Sequence, residues 1–164
     1  MSKPKIKVPV QALDRAIDSA TFLILCLMLL LTINAYPSLP ETIPTHFNGA
    51  GNVDGYGDKS VLLVLPGIGL FMCIGLFILI RFPHIFNFPV EINEQNAEIQ
   101  YILINRMMRT LNFVSVSSFC FITFRVIESA NGNGGGTGYF FLPIMISGTI
   151  IPIIIYIYLA RKNA

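Results

Sequence analysis

The residues that could do chemistry are concentrated in the segment 36–60, which holds His46, Asp54 and Asp58 among prolines and glycines. One imidazole and two carboxylates could converge on a cation, and the spacing of polar residues here superficially resembles a calcium loop. A twelve-residue calcium loop needs a bidentate acid at its last position, which falls at Leu63. We therefore expect no metal site, because a single His with scattered carboxylates more commonly makes turn and cap hydrogen bonds.

A second polar feature is the pair Arg125 and Glu128, which lie about one helical turn apart, a spacing that allows an ion pair. Both should sit near a membrane interface, where such a pair could contribute to substrate or peptide binding. Catalysis at membrane depth needs a nucleophile with a base, or paired acids. The apolar segments hold Ser and Cys but no His, and Asp18 stands alone. We therefore expect no enzymatic activity, no catalytic residue and no cofactor.

The composition indicates that lipid, rather than water, surrounds most of the chain. Of 164 residues, 54% are hydrophobic and 12% are charged, against roughly 25% charged in an ordinary soluble domain. The mean hydropathy is +0.67, and so much apolar side chain cannot hide inside one small globule. A soluble enzyme and a nucleic-acid binder are disfavoured on this ground.

Four apolar segments approach the roughly 20 residues that a spanning helix needs. They run over about 17–35, 61–80, 110–127 and 139–160. Ser60 is expected to cap the second helix. The third segment is the most polar, and a rival topology leaves it at the surface, with three spans. The preferred fold is an all-α integral membrane protein with four transmembrane helices in a single domain, residues 1–164.

The basic residues predict the orientation of these helices. Only Lys59 and Arg125 lie on one side of the predicted spans, and the other nine lie on the opposite side. The positive-inside rule therefore places both termini and the loop 81–109 in the cytoplasm, and the loop 36–60 outside. The rival topology would move Arg161 and Lys162 outside, against the same rule.

Both long loops contain signals for local structure. In the outer loop, Asn48-Gly49 and Asp54-Gly55 suit tight turns, and a small hairpin with strands near 43–47 and 53–56 is a plausible arrangement. In the inner loop, Asn93 should cap an amphipathic helix that begins at Glu94. Two arrangements of this helix fit the sequence: it lies along the membrane surface, or it runs straight through the third span.

Two loops together resemble a known family. The outer loop carries Leu39-Pro40, the run from Ile43 to Asn48, and Gly51, Asp54, Gly55, Gly57 and Lys59, followed by a helix with Pro66. The inner loop carries Asn87 to Ile92, then Glu94, Asn96 to Glu98, Gln100 and Tyr101. Over about 16–112 the chain resembles the bacterial membrane domain-of-unknown-function family 1648, the N-terminal domain of SdpI-type immunity proteins. It departs at Asp58, where the family usually has a small hydroxyl residue.

The resemblance implies immunity or signalling against a membrane-active peptide, in the inner (cytoplasmic) membrane of a bacterium. The outer loop would then bind a secreted peptide or envelope ligand, and the inner helix could relay its presence to a cytoplasmic partner. The candidate binding residues are His46, Phe47, Asn48, Asp54, Gly55 and Lys59. The alternative hypothesis is an oligomeric small transporter or channel subunit, which is motivated by the glycine-rich spans and by Arg125. In both, the bilayer is a partner, a homo-oligomer is conceivable, and nucleic acid is not a partner.

Overall fold

The computed structural model describes residues 3–164, which form four long helices and one two-stranded antiparallel sheet. The elements are α1 Ala12–Ala35, β1 Thr42–Phe47, β2 Val53–Asp58, α2 Val64–Leu79, α3 Ala97–Ala130 and α4 Phe141–Lys162. All four helices are long and apolar enough to cross a membrane, α2 together with the short 3₁₀ segment Lys59–Leu63 that precedes it. This confirms the prediction of four apolar helices, and the chain is a multi-pass membrane protein.

The connections lie at two opposite ends of the helices. The strands and the link between α3 and α4 form what we call the hairpin end. The segment 3–11, the first turn of α1, the link between α2 and α3, the first four turns of α3 and the last residues of α4 form what we call the terminal end. Nine of the eleven basic residues belong to the terminal end.

The second span begins with a 3₁₀ segment, and the residue that caps this segment is not the predicted one. Asp58 Oδ1 accepts a hydrogen bond from the backbone N–H of Ser60 at 2.8 Å. Ser60 is therefore a donor to the cap, and the prediction that it is the cap itself is wrong. The physical reason is that the chain first makes a 3₁₀ turn over Lys59–Leu63, whose leading N–H groups need an acceptor before α2 starts.

The start of α3 also differs from the prediction, by three residues. Asn93 Oδ1 accepts from the backbone N–H groups of Gln95 and Asn96 at 2.9 and 3.0 Å, while Asn96 Oδ1 accepts from the backbone of Asn93 at 2.9 Å. This reciprocal pair forms a turn, and the helix begins at Ala97 rather than Glu94. From there α3 is continuous for 34 residues, so the inner helix and the third span are one helix of about 51 Å.

α3 is the central helix, because α1, α2 and α4 all pack against it. Near its middle, buried side chains from three helices meet in one cluster: Leu25 and Met28 of α1, Cys73 of α2, and Val116 and Cys120 of α3. Gly69 of α2 lies against Met28, where a Cβ would approach the methionine methyl to 2.8 Å. Small residues therefore let α1 and α2 come close beside α3.

Polar side chains near the start of α3 join it to the other helices at the terminal end. Arg106 Nε donates to Asp14 Oδ1 at 3.0 Å, and Arg109 Nε donates to Asp18 Oδ2 at 3.0 Å. Asn105 Nδ2 donates to the carbonyl of Ile80, the C-cap residue of α2, at 3.1 Å. Gln100 Nε2 donates to the carbonyls of Ala160 and Asn163 at 2.8 and 2.9 Å, at the end of α4. The start of α1 and the ends of α2 and α4 are therefore all bound to the first turns of α3.

We predict that Asp18→Asn lowers the free energy of unfolding by about 3 kcal/mol, because it leaves the buried Arg109 guanidinium without its carboxylate. Glu41→Gln is the matched control, since the Glu41 carboxylate is exposed and its pairing with Lys59 should contribute less than about 1 kcal/mol. Both are measured by denaturant unfolding of the purified chain in detergent micelles. Equal losses in the two variants would contradict the structural importance of the buried pair.

Candidate functional site

The hairpin is shaped by a turn that its own side chains stabilise. Asn48 Oδ1 accepts hydrogen bonds from the backbone N–H groups of Ala50 and Asn52 at 3.0 and 3.1 Å. Gly51 has a φ of 81°, a conformation that only glycine adopts without strain. β1 and β2 pair antiparallel, with Ile43 opposite Gly57 and His46 opposite Gly55. The turn therefore fixes the pairing of the two strands without a ligand.

The base of the hairpin is anchored in an apolar cluster at the end of α3. Ile43 is completely buried, and it packs with Leu39 and Leu62 against Val126 and Ile127 of α3. Phe47 contacts the edge of the same cluster and is half-buried. The hairpin is thus a fixed part of the helical structure.

The glycine-rich link between α3 and α4 docks on the hairpin turn. The backbone N–H of Thr137 donates to the carbonyl of Gly51 at 2.7 Å. A Cβ on Gly51 would collide with the backbone of Gly138, and one on Gly136 would collide with the Gly51 carbonyl. The approach of these two backbone segments is therefore possible only with glycine at the contact points.

Arg125 holds this link in place and does not form the predicted pair with Glu128. Its Nε donates to the carbonyl of Gly136 at 2.5 Å, and a terminal nitrogen lies 3.4 Å from the carbonyl of Gly135. The four ion pairs among residues 3–164 do not include Arg125 and Glu128. The reason is that a loop of glycines leaves carbonyl groups without intrahelical partners, and a guanidinium at the end of α3 can satisfy several of them.

The predicted binding residues fall into separate groups along the hairpin. His46 Nδ1 and Asp54 Oδ1 form a hydrogen bond across the strands, and both side chains are substantially exposed. The absence of a side chain at Gly55 leaves space for His46, because a Cβ at residue 55 would lie 3.0 Å from the His46 Cβ. Lys59 lies at the other end of the hairpin, where its Nζ contacts Glu41 Oε1 at 2.8 Å.

Asp58 is likewise remote from His46 and Asp54 along the strands, since it pairs with Thr42 at the open end of the hairpin. The hydrogen bonds that it accepts from Ser60 hold the pKa of the Asp58 carboxyl below its usual range. The three side chains that could have converged on a cation are thus divided between two places. Within residues 3–164, no three His, Cys, Asp or Glu side chains come together as a metal-binding group.

A cavity of about 350 Å³ lies beside β1 and is the candidate binding site. Its lining comes from β1, from the 3₁₀ segment and the first turn of α2, from the last turns of α3, and from the start of α4 with Thr137 of the preceding link. The lining is mostly apolar, and its polar side chains are those of Thr45, His46, Asn48 and Thr137. We call this cavity the hairpin groove. Its volume lies within the range of small-ligand pockets, roughly 300 to 1,000 Å³.

Of the predicted binding residues, His46, Phe47 and Asn48 line the hairpin groove, whereas Asp54, Gly55 and Lys59 do not. Asp54 and Gly55 act on the groove through His46, and Lys59 contacts Glu41 and the ring of Tyr36, whose centroid is 5.5 Å from Nζ. Sequence reasoning missed the wall residues on the helices: Val61, Leu65, Ile122, Val126, Phe141 and Leu142. In the sequence these are ordinary span residues, and no signal separates them from lipid-facing ones.

Comparison with known proteins identifies the region around the hairpin. Residues 23–70 match a family described as a domain of unknown function, DUF1648. That match covers the second half of α1, the hairpin and the start of α2, so the expected resemblance to this domain family is confirmed for this part of the chain. An "Uncharacterized protein" of Archaeoglobus fulgidus is 33% identical over 60 residues, which are 37% of this chain and 33% of the archaeal protein. The chain thus spans about a third of that relative's length. No solved structure matches this chain.

We predict that Gly136→Ala detaches the link from the hairpin turn, because residue 136 has a φ of +67° and its Cβ would collide with the Gly51 carbonyl. Hydrogen exchange of the Thr137 amide should accelerate at least about tenfold. Gly135→Ala is the matched control, since a Cβ at Gly135 meets nothing within 4 Å. Unchanged exchange in Gly136→Ala would mean that the link does not depend on this contact.

Proposed function

We propose that this chain is a non-enzymatic protein of the bacterial inner membrane that protects against a membrane-active peptide by binding an apolar part of it in the hairpin groove. The observation that carries the proposal is the hairpin groove itself. It is preformed, lined mainly by apolar side chains, and has polar side chains from Thr45, His46, Asn48 and Thr137.

The location of the hairpin groove suits a peptide that arrives along the membrane surface. Amphipathic peptides bury their apolar face at the boundary between headgroups and acyl chains. The hairpin groove lies where α2 starts and α3 ends, so it sits at the edge of the apolar helices. An apolar side chain that enters it keeps its contact with apolar atoms, while the peptide backbone can reach the polar edge.

The distribution of basic residues supports an outward-facing hairpin. With nine basic residues at the terminal end, the positive-inside rule favours that end in the cytoplasm. A secreted peptide would then meet the hairpin first. The match of residues 23–70 to DUF1648 and the two-loop resemblance to SdpI-type immunity proteins both concern this part of the chain.

The structure suggests a sharper test than replacing hairpin residues that also hold the fold. In Leu142→Trp, an indole ring replaces the smaller leucine side chain and would fill the hairpin groove from α4. Ile150→Trp is the matched control on the same helix, because Ile150 is 48% exposed and does not line the hairpin groove. A host that lacks the gene is challenged with a panel of membrane-active peptides while it expresses each variant at equal level.

We expect the intact chain and Ile150→Trp to raise the inhibitory concentration of at least one peptide, and Leu142→Trp to lose this protection by about tenfold. His46→Ala should weaken protection as well, because it removes part of the polar edge. Full protection by Leu142→Trp would contradict binding in the hairpin groove. Absence of protection by the intact chain would contradict immunity, and flux measurements in liposomes would then test the transporter or channel alternative.

A further inference from the structure

A second and larger cavity, of about 640 Å³, lies at the terminal end. It is enclosed by the segment 3–11, the first turns of α1, the end of α2 and the first half of α3. The segment 3–11 is held there by Tyr101, whose hydroxyl donates to the carbonyl of Pro4 at 2.8 Å. We call this cavity the terminal cavity. It shares no lining residue with the hairpin groove.

The terminal cavity has an excess of positive charge. Its charged lining residues are Lys7, Asp14, Arg15, Asp18, Arg81 and Arg109. Both carboxylates are already paired: Asp14 with Arg106, and Asp18 with Arg109. Lys7, Arg15 and Arg81 belong to none of the ion pairs in the described part of the chain. The cavity therefore favours an anion.

Arg109 is the built part of this site. Its side chain is only 6% exposed, and Asp18 engages its Nε from one side. The two terminal nitrogens of the guanidinium make no hydrogen bond to the protein among residues 3–164. A guanidinium fixed in this way can present its outer N–H groups to a phosphate as a planar fork.

Asn105 adds a polar atom of the opposite kind. The residue is 7% exposed, and its Nδ2 donates to the carbonyl of Ile80. Its Oδ1 is buried and has no hydrogen-bond partner among the described residues. A buried acceptor without a partner costs stability, and an O–H group of a ligand would satisfy it. The terminal cavity thus offers donors to an anion, and Asn105 on its lining has an acceptor that lacks a donor.

Apolar side chains complete the lining, among them Ile6, Phe77, Ile80 and Ile102. Free phosphate makes no use of such a wall, whereas the acyl chains of a membrane lipid can pack against it while the headgroup contacts the charged side chains. We propose that the terminal cavity binds the headgroup of an anionic phospholipid with a phosphoglycerol group. Its phosphate contacts Arg109, Arg81 and Lys7, and a glycerol hydroxyl donates to Asn105 Oδ1.

The test compares two double variants with the same change in charge. Lys7→Gln with Arg81→Gln removes two cavity cations, and Lys5→Gln with Arg161→Gln removes two cations of the terminal end that do not line the cavity. The full chain is purified in a neutral detergent and titrated with phosphatidylglycerol. Native mass spectrometry counts bound lipids, and a thermal shift reports stabilisation.

We expect one phosphatidylglycerol to bind the intact chain more tightly than phosphatidylcholine, and the cavity double variant to bind it about tenfold more weakly. The control double variant should bind like the intact chain. Phosphatidylmethanol carries the same charge without the headgroup hydroxyls, so it should bind more weakly than phosphatidylglycerol in the intact chain.

Three results would overturn the proposal. Equal weakening in both double variants would mean that surface charge alone attracts the lipid. Stabilisation by soluble glycerophosphate as large as that by phosphatidylglycerol would identify a site for a soluble anion. Equal binding of phosphatidylmethanol and phosphatidylglycerol would contradict the contact with Asn105. None of these results bears on the hairpin groove, which lies at the other end of the helices.

Discussion

The hydrogen bonds and ion pairs at the start of α3 determine the positions of the other three helices. Charged and polar groups near a membrane are costly unless they are paired, so each such contact has few alternatives. Along fewer than three turns, α3 satisfies two aspartates of α1 and the last carbonyls of α2 and α4. The side chains that do so are Gln100, Asn105, Arg106 and Arg109.

The same helix then carries this arrangement to the hairpin end by apolar packing. Val116 and Cys120 lie against α1 and α2, and one to two turns later Val126 and Ile127 hold Ile43 of the hairpin. The hairpin groove forms where β1, α2 and α4, which all contact α3, contribute side chains to one cavity. The terminal cavity, at the opposite end, is bounded by α1, α2 and α3. α3 therefore contributes a wall to both cavities.

Local patterns predicted much of this structure. Hydropathy was sufficient for the four helices, and the Asn-Gly turn with its flanking strands was sufficient for the hairpin. Capping was harder to predict: Ser60 and Asn93 are good caps by residue type, but Asp58 caps the 3₁₀ turn before α2, and Asn93 forms a turn with Asn96 before α3 begins. Residue type alone does not decide which of several neighbouring polar side chains caps a helix.

Partners that are distant along the chain could not be predicted in this way. Glu128 is near Arg125 in sequence, yet the guanidinium binds glycine carbonyls ten and eleven residues away, which have no side-chain signature. The hairpin groove presents the same difficulty. Its edge comes from the loop residues that the sequence singled out, but Ile122 and Leu142 enter from helices far along the chain. Only the packing of α3 and α4 distinguishes them from residues that face lipid.

Site-specific photo-crosslinking can show directly whether a peptide occupies the hairpin groove. A photoreactive phenylalanine is placed at Val61, in the 3₁₀ segment that lines the hairpin groove, or at Phe71 in the α2 helix that follows, which is 78% exposed and lies outside the groove. Cells with either variant are exposed to a peptide against which the intact chain protects, and then irradiated. We expect the peptide to be captured from residue 61 and not from residue 71. Equal capture from both positions, or capture from residue 71 alone, would contradict it.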